Sequence, residues 1–339
     1  HILRFLKFEG LARDSIRPEG MPQDILNSLS PGHQEAWTEM TYLGHHLTRL
    51  GTNEGYVGET RESALEATPQ IHKSFHKLAK LWRTLNFPSS RDDIRAELLK
   101  AGARFCPLAA VPKLDDRRRP RIDPDTQLPE LRTISDHTDC GHEHAANTGT
   151  CSYQAAKQLT TDDASIASAA IAEENANPGY FINAVKGDYS GAFTINALHL
   201  AAIGELAAET GGIISVYGTD TFGGRRAPGF WEVTGSVASE GIHTIEWPEP
   251  DTDGAVMPHH ARTVDDTLHF VARRGNRPER YWDWFTHLMR LCAGPTAFNT
   301  EKDEEGGGFT NYQHGFGTLA DCIRRRLSTP FSRLCRSED

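Results

Sequence analysis

Long hydrophobic runs are missing from this 339-residue chain, whose mean hydropathy is −0.52. No apolar stretch approaches the roughly 18 residues that a membrane-spanning helix needs. Positive charge is also in short supply: 36 Lys and Arg stand against 46 Asp and Glu, for a formal net charge of −10. Bulk attraction to nucleic acid or to an anionic membrane is therefore not expected. Only six cysteines occur, at 106, 140, 151, 292, 322 and 335. They follow no small-domain disulfide framework, and there is no Asn-x-Ser/Thr sequon, so a cytosolic or otherwise reducing setting is expected. The familiar catalytic signatures are missing too: no GxxxxGK[ST] phosphate loop, HExxH, GxSxG or CxxC. Gly315-Phe316-Gly317 with Ala320 is half of a dinucleotide fingerprint, but it follows a loop and not a strand.

The composition is that of a globular protein, with 38% hydrophobic and 24% charged residues. The chain starts at His1, and residues 1–8 are too short for a signal peptide, so a processed product or a piece of a longer polypeptide is expected.

Periodicity predicts several helices. Ser30-Pro31 opens one that carries Trp37, Met40, Leu43, Leu47 and Leu50 and stops at Gly51. A second runs over 70–85, a third over 92–100, and an Ala-rich one over 162–175. Residues 190–210 read as a buried central helix whose small residues let a neighbour approach closely. Helices are also expected over 263–273, 276–292 and 318–327. Short strands are expected at 213–217, 230–234 and 242–247. The Pro-rich stretch 107–132 and the Gly- and Glu-rich stretch 296–317 read as long loops. The expected fold class is α+β, helix-rich, with a few short strands and long irregular loops. The expected organisation is an N-terminal helical region over 1–111, a linker or surface loop over 112–132, and a helix-rich α+β region over 133–339.

One cluster has metal-ligand chemistry. Residues 136–151 read DHTDCGHEHAANTGTC, and His137, Cys140, His142, His144 and Cys151 offer the thiolate and imidazole ligands that zinc takes in tetrahedral sets of four. Zinc is the one cofactor these residues suggest, against the simpler reading of a polar surface loop with no cofactor. Cys106 or Cys140 could be a nucleophile with a histidine base. His72 and His76, four apart on a helix, read as a surface pair. Trp282 and Trp284 flank the stripe of Tyr281, Phe285 and Leu288, so they are candidates for an interface. Arg117, Arg118 and Arg119 could meet phosphate or an acidic partner, and otherwise read as a solvated loop.

Three stretches resemble capsid proteins of totivirus-like double-stranded RNA viruses of fungi: GAFTINALHLAAIGELAAETGG at 191–212, PHHARTVDDTLHFVARRGNRPERYWDWFTHLMRL at 258–291, and Gly-Phe-Gly-Thr-Leu at 315–319. The resemblance implies a structural shell component without catalytic residues, assembling with copies of itself or a companion shell chain around double-stranded RNA. It implies a place in the virion or the host cytoplasm, away from membranes. Two other classes stand beside it: a hydrolase or transferase built on the 136–151 cluster, with or without zinc, and an effector or toxin-like domain.

Overall fold

A computed structural model describes residues 23–44, 54–148, 163–242 and 258–294, apart from positions 82, 116, 125, 126, 190, 200, 201, 264 and 265. The chain forms two compact units, each assembled from separated stretches: 1–17, 36–157 and 193–231 in the first, and 18–35, 158–192 and 232–339 in the second.

The first unit is organised by a five-stranded mixed sheet. Its strands are β1 (Tyr56–Val57), β2 (Thr84–Pro88), β3 (Arg104–Phe105), β7 (Leu206–Thr210) and β8 (Ile213–Tyr217). The order is β1-β3-β7-β8-β2, with parallel pairing from β1 to β7 and antiparallel pairing beyond. Helices α3 (Glu62–Glu66) and α4 (Thr68–Lys80) precede β2, and α5 (Asp92–Lys100) follows it. Ile71 and Phe75 of α4 pack with Cys106, Leu206 and Ala208, whereas Ile94 and Leu98 of α5 pack with Phe105, Ala207 and Val216. Neighbouring residues of β7 thus enter different cores, as the period of two requires. Each of these apolar side chains contributes on the order of 1.5–3 kcal/mol by leaving water. A two-stranded hairpin, β4 (Leu108–Pro112) with β5 (Leu131–Ser135), takes in both ends of the Pro-rich stretch.

The second unit holds a three-stranded antiparallel sheet, β6 (Ile182–Asp188), β9 (His259–Thr263) and β10 (Asp266–Ala272), with β10 in the centre. Helix α6 (Asp163–Ala176) covers one face, where Ile166 and Ala170 meet Ala184, Leu268 and Phe270. Helix α8 (Arg277–Ala293) covers the other, where Tyr281 and Phe285 meet His269. The remaining helices are α1 (Gln23–Ser28), α2 (Pro31–Leu43) and α7 (Ala227–Ile242). No helix among the described residues is long and apolar enough to cross a membrane.

Sheets of five, three and two strands correct the helix-rich expectation. The physical cause is visible at three places. Residues 206–210 are Leu-Ala-Ala-Glu-Thr, and Ala207 and Ala208 are fully buried. A strand covered on both faces reads as a continuous small apolar run, which alone cannot be told from a helix. Residues 266–272 do carry a helical stripe, Leu268 with Val271, but they alternate as well: Leu268 and Phe270 face α6, and His269 faces α8. Pairing on both edges decides in favour of the strand. Conversely, 230–234 lies inside α7, where Pro228 sits in the first turn. Helix α4 stops at Lys80 because Thr84–Pro88 is taken up by β8. The predicted helices at 92–100, 162–175 and 276–292 are found within a residue or two of their expected ends. The readings over 243–257 and 295–339 lie outside the described residues.

Candidate functional site

Within the 136–151 cluster His137 is buried and His142 is exposed. His137 is buried beneath the surface of the first unit, with Nδ1 3.3 Å from Cys106 Sγ and Nε2 2.5 Å from Thr221 Oγ1. Burial, with a smaller push from the Asp136 charge, raises the Cys106 thiol to about 12, and burial lowers the His137 imidazole to about 4. The pair is therefore a neutral thiol beside a neutral imidazole. A nucleophilic cysteine needs the opposite shift, which burial here opposes.

His142 and His144 lie outside that core. The ring of His142 stacks on Tyr56 at 4.5 Å and lies 5.7 Å from the ring of His144. Tyr56 donates its hydroxyl to Asp139, whose other oxygen accepts from Arg61 at 3.0 Å. Arg61 also donates to Asp136. Burial and the Asp139 carboxylate hold the Tyr56 phenol up at about 12. The structure describes the backbone but not the side chain of Cys140, and Cys151 lies outside the described residues. Among the described residues no group of three or more His, Cys, Asp or Glu side chains is placed to hold a metal.

The other sequence candidates are placed as follows. His72 contacts the Thr210 carbonyl at 3.3 Å. Trp282 is only 6% exposed, packed against His269 and Phe285, while Trp284 is half-buried beside Tyr281. Arg117, Arg118 and Arg119 are exposed on a turn that Asp115 organises by accepting the Arg117 and Arg119 N–H groups.

A different constellation emerges in the second unit. In the β6–β10 ladder Asp188 is the register partner of Asp266. Directly opposed residues of an antiparallel pair share one face, with Cβ atoms about 4.5–5.5 Å apart. Asp266 also pairs with Thr263 of β9, and only residues 264 and 265 separate these two in the chain. Residue 265 is itself an aspartate. Strand register thus brings two aspartate positions to one end of a three-stranded sheet, and a third aspartate precedes one of them in the sequence. Next to Asp188, the buried Tyr189 donates its hydroxyl to Met289 Sδ of α8 at 3.0 Å, which pins the end of β6.

A buried polar network holds the same sheet. Glu173 of α6 has no exposed surface. Its Oε1 accepts from the Ala272 N–H at 3.1 Å and from Asn177 Nδ2 at 3.0 Å, and lies 3.6 Å from Arg277 Nη1. Its Oε2 accepts from the His259 N–H at 3.3 Å. One carboxylate thereby ties α6, β9, β10 and α8 together.

Sequence reasoning missed the aspartate pair because it assigned 263–273 to a helix. The available signal was Asp265-Asp266 directly ahead of an alternating Thr-Leu-His-Phe-Val run, with Lys-Gly-Asp ending a second apolar run at 188.

No family model and no curated protein matches the chain. Solved structures of a foamy viral protease–reverse transcriptase are similar to it. One in complex with double-stranded DNA shares 15% identity over 86% of this chain and 44% of its own, at a TM-score of 0.49. A second DNA complex gives 13%, 87%, 50% and 0.45 in the same order, and the native prototype foamy virus enzyme gives 14%, 87%, 32% and 0.42. The chain spans half or less of the length of these proteins. A likeness of this size fixes neither fold nor function. The structures it brings forward are nonetheless viral enzymes and not shell proteins, so the resemblance to totivirus-like capsids is withdrawn. The capsid, virion and icosahedral-assembly reading goes with it.

Proposed function

We propose that the chain is part of a divalent-metal-dependent phosphoryl-transfer enzyme, and specifically a nucleotidyl transferase acting on nucleic acid. The observation that carries this reading is the register pairing of Asp188 with Asp266 at the end of β6–β10 where the β9–β10 connection lies. Hard carboxylate oxygens suit Mg²⁺ or Mn²⁺, and such ions are commonly held by one or two protein carboxylates with substrate phosphates completing the shell. That donor chemistry fits Asp188 and Asp266, with Asp265 next in the chain. It does not need a closed protein cage. When bound, such ions orient and neutralise a phosphoryl group for in-line displacement.

The rest of the second unit supplies rigidity. Seven consecutive pairs align β6 with β10, and helices on both faces hold the sheet. Positioning of this kind is what phosphoryl transfer requires of a protein. The nucleic-acid partner is supported by the first unit's Thr221–Arg226 loop. There Phe222 is 46% exposed and set edge-on to Phe193, and Arg225 is exposed. Asn147 fastens this loop from both ends of its amide, accepting from the Arg225 N–H and donating to the Gly223 carbonyl. A fixed aromatic beside a free guanidinium suits a base and its phosphate. With a net charge of −10, contact must be local and metal-assisted.

The test pairs binding with turnover. Mn²⁺ titration followed by electron paramagnetic resonance should show stoichiometric binding that Asp188→Asn and Asp266→Asn each weaken at least about tenfold. Extension of a labelled primer–template with nucleoside triphosphates should require Mg²⁺ or Mn²⁺ and be lost in both variants, while their melting temperatures stay close to wild type. Unchanged Mn²⁺ affinity in both variants would sink the proposal.

A further inference from the structure

At the opposite end of the same sheet lies a surface that the carboxylate site does not use. Phe181, the residue before β6, is 75% exposed, and Tyr180 is 47% exposed. Burying large aromatics is a main source of folding energy, so two adjacent ones left in water mark a surface with another use. Strand pairing continues one step past the Ala272–Ile182 register pair, where the Arg273 N–H donates to the Phe181 carbonyl at 2.7 Å. Arg273 is thereby fixed beside Phe181. Its side chain is exposed and makes no ion pair among the described residues.

The next residue is built into the same surface. The guanidinium of Arg274 lies 4.5 Å from the centroid of the Tyr180 ring and donates to Asn177 Oδ1 at 2.8 Å. Tyr180 is therefore presented as a rigid plate backed by a cation. The buried acid of this region, Glu173, is already committed to Asn177, Ala272, His259 and Arg277. Access is open on both sides: a Cβ placed on Gly179 or on Gly275 would meet nothing within 4 Å.

We infer that Tyr180, Phe181, Arg273 and Arg274 form a second nucleic-acid contact, one that takes a single strand by stacking bases on the two rings and pairing phosphates with Arg273. Exposed planar rings interleaved with guanidinium groups are the means by which proteins hold single strands without reading sequence. A purely apolar partner surface would not be met by a free Arg273. Along β6 the surface stands about 23 Å from Asp188, at roughly 3.3 Å per residue. A strand engaged at the carboxylates would reach it with a short single-stranded segment. In naming that strand's path the inference rests on the proposed function, but the binding itself does not.

The experiment is fluorescence anisotropy with a labelled oligothymidylate of about 15 nucleotides, in EDTA, on the Asp188→Asn chain. Metal and one of the two paired carboxylates are then out of play, so failure of the transfer proposal leaves the result readable. Phe181→Ala is expected to weaken binding about 5- to 100-fold and Phe181→Trp to restore it. Arg273→Gln is expected to lower the slope of log affinity against log salt by about one. Both positions are exposed, so the melting temperature should not move. No binding by the parent, or equal affinity of parent and Phe181→Ala, would overturn the inference. So would sedimentation showing that Phe181→Ala dissociates a dimer while strand binding is unchanged.

Discussion

Removal of the Glu173 carboxylate should cost far more than a typical substitution, and should do so by a route that a second change can repair. Glu173 and Arg277 are both 0% exposed. In Glu173→Ala the guanidinium loses its buried counter-charge, and the N–H groups of His259 and Ala272 lose their acceptors. Breaking a buried pair by removing one partner costs about 3–5 kcal/mol, and each stranded donor adds on the order of 1–3, though not additively. A total near 5 kcal/mol is expected, comparable to the stability of many domains. Glu173→Gln keeps the volume and one acceptor oxygen, so it should cost about half as much. The informative variant is Glu173→Leu combined with Arg277→Met. With both charges gone the penalty of the buried unpaired charge disappears, although the two N–H groups still lack this acceptor, and the double variant should be about 2 kcal/mol more stable than Glu173→Ala. Urea unfolding followed by tryptophan fluorescence would read this, because Trp282 and Trp284 lie on the helix that carries Arg277. A cost under about 1 kcal/mol for Glu173→Ala, or a double variant no better than the single one, would refute the reasoning.

Other outcomes follow from the same structure. Burial lowers both His137, to about 4, and His269, well below its ordinary value, so the unfolded chain binds more protons than the folded one under mild acid. Stability should be fully present above pH 6.5 and fall as pH drops from there toward 4, by about 1.4 kcal/mol per unit for each histidine; urea midpoints flat between pH 7 and 5 would contradict this. Cys106 and Cys292, both buried and both raised to about 12, should react with a thiol reagent only as fast as the chain opens. Rapid native labelling of either, located by mass spectrometry, would show that burial is wrong. Gly223 has φ +102° and an added Cβ would run into the Ser135 carbonyl oxygen. Gly223→Ala should therefore lower stability by about 1–3 kcal/mol, and an unchanged melting temperature would count against the described loop.

What the sequence made legible was local. Helices α5 and α8 announce themselves through amphipathic spacing and flanking Pro or Gly, and α6 through its Ala-rich composition ahead of Pro178-Gly179; none of that depends on distant residues. Of the strands β8 was legible at 213–217, but the others were not, because each draws its identity from a partner far along the chain. Thr84–Pro88 extends a helical stripe until β8 pairs with it, and Leu206–Thr210 is as good a helix as a strand until β3 and β8 flank it. The candidate site failed for the same reason. Asp188 and Asp266 become neighbours only through the β6–β10 register, which no local pattern encodes. The Cys/His cluster drew notice by proximity in sequence; the fold buries His137 and leaves His142 exposed. His137 does meet a cysteine, but it is Cys106, thirty-one residues earlier.

The central position of β10 also sets a timetable. Its outer partner β6 is complete roughly 80 residues before it, and at about 5–20 residues per second a ribosome takes several seconds to cover that gap. During that time β6 has an unsatisfied edge and α6 has no sheet to cover. The first unit is no better placed, since β3 waits for β7 across the stretch that contributes α6 and β6 to the other unit. Neither unit can be finished before the next one is begun. The nascent chain therefore carries an open strand edge where its two aspartates will meet, and a chaperone, or a slower run of codons between 189 and 265, would act on that interval.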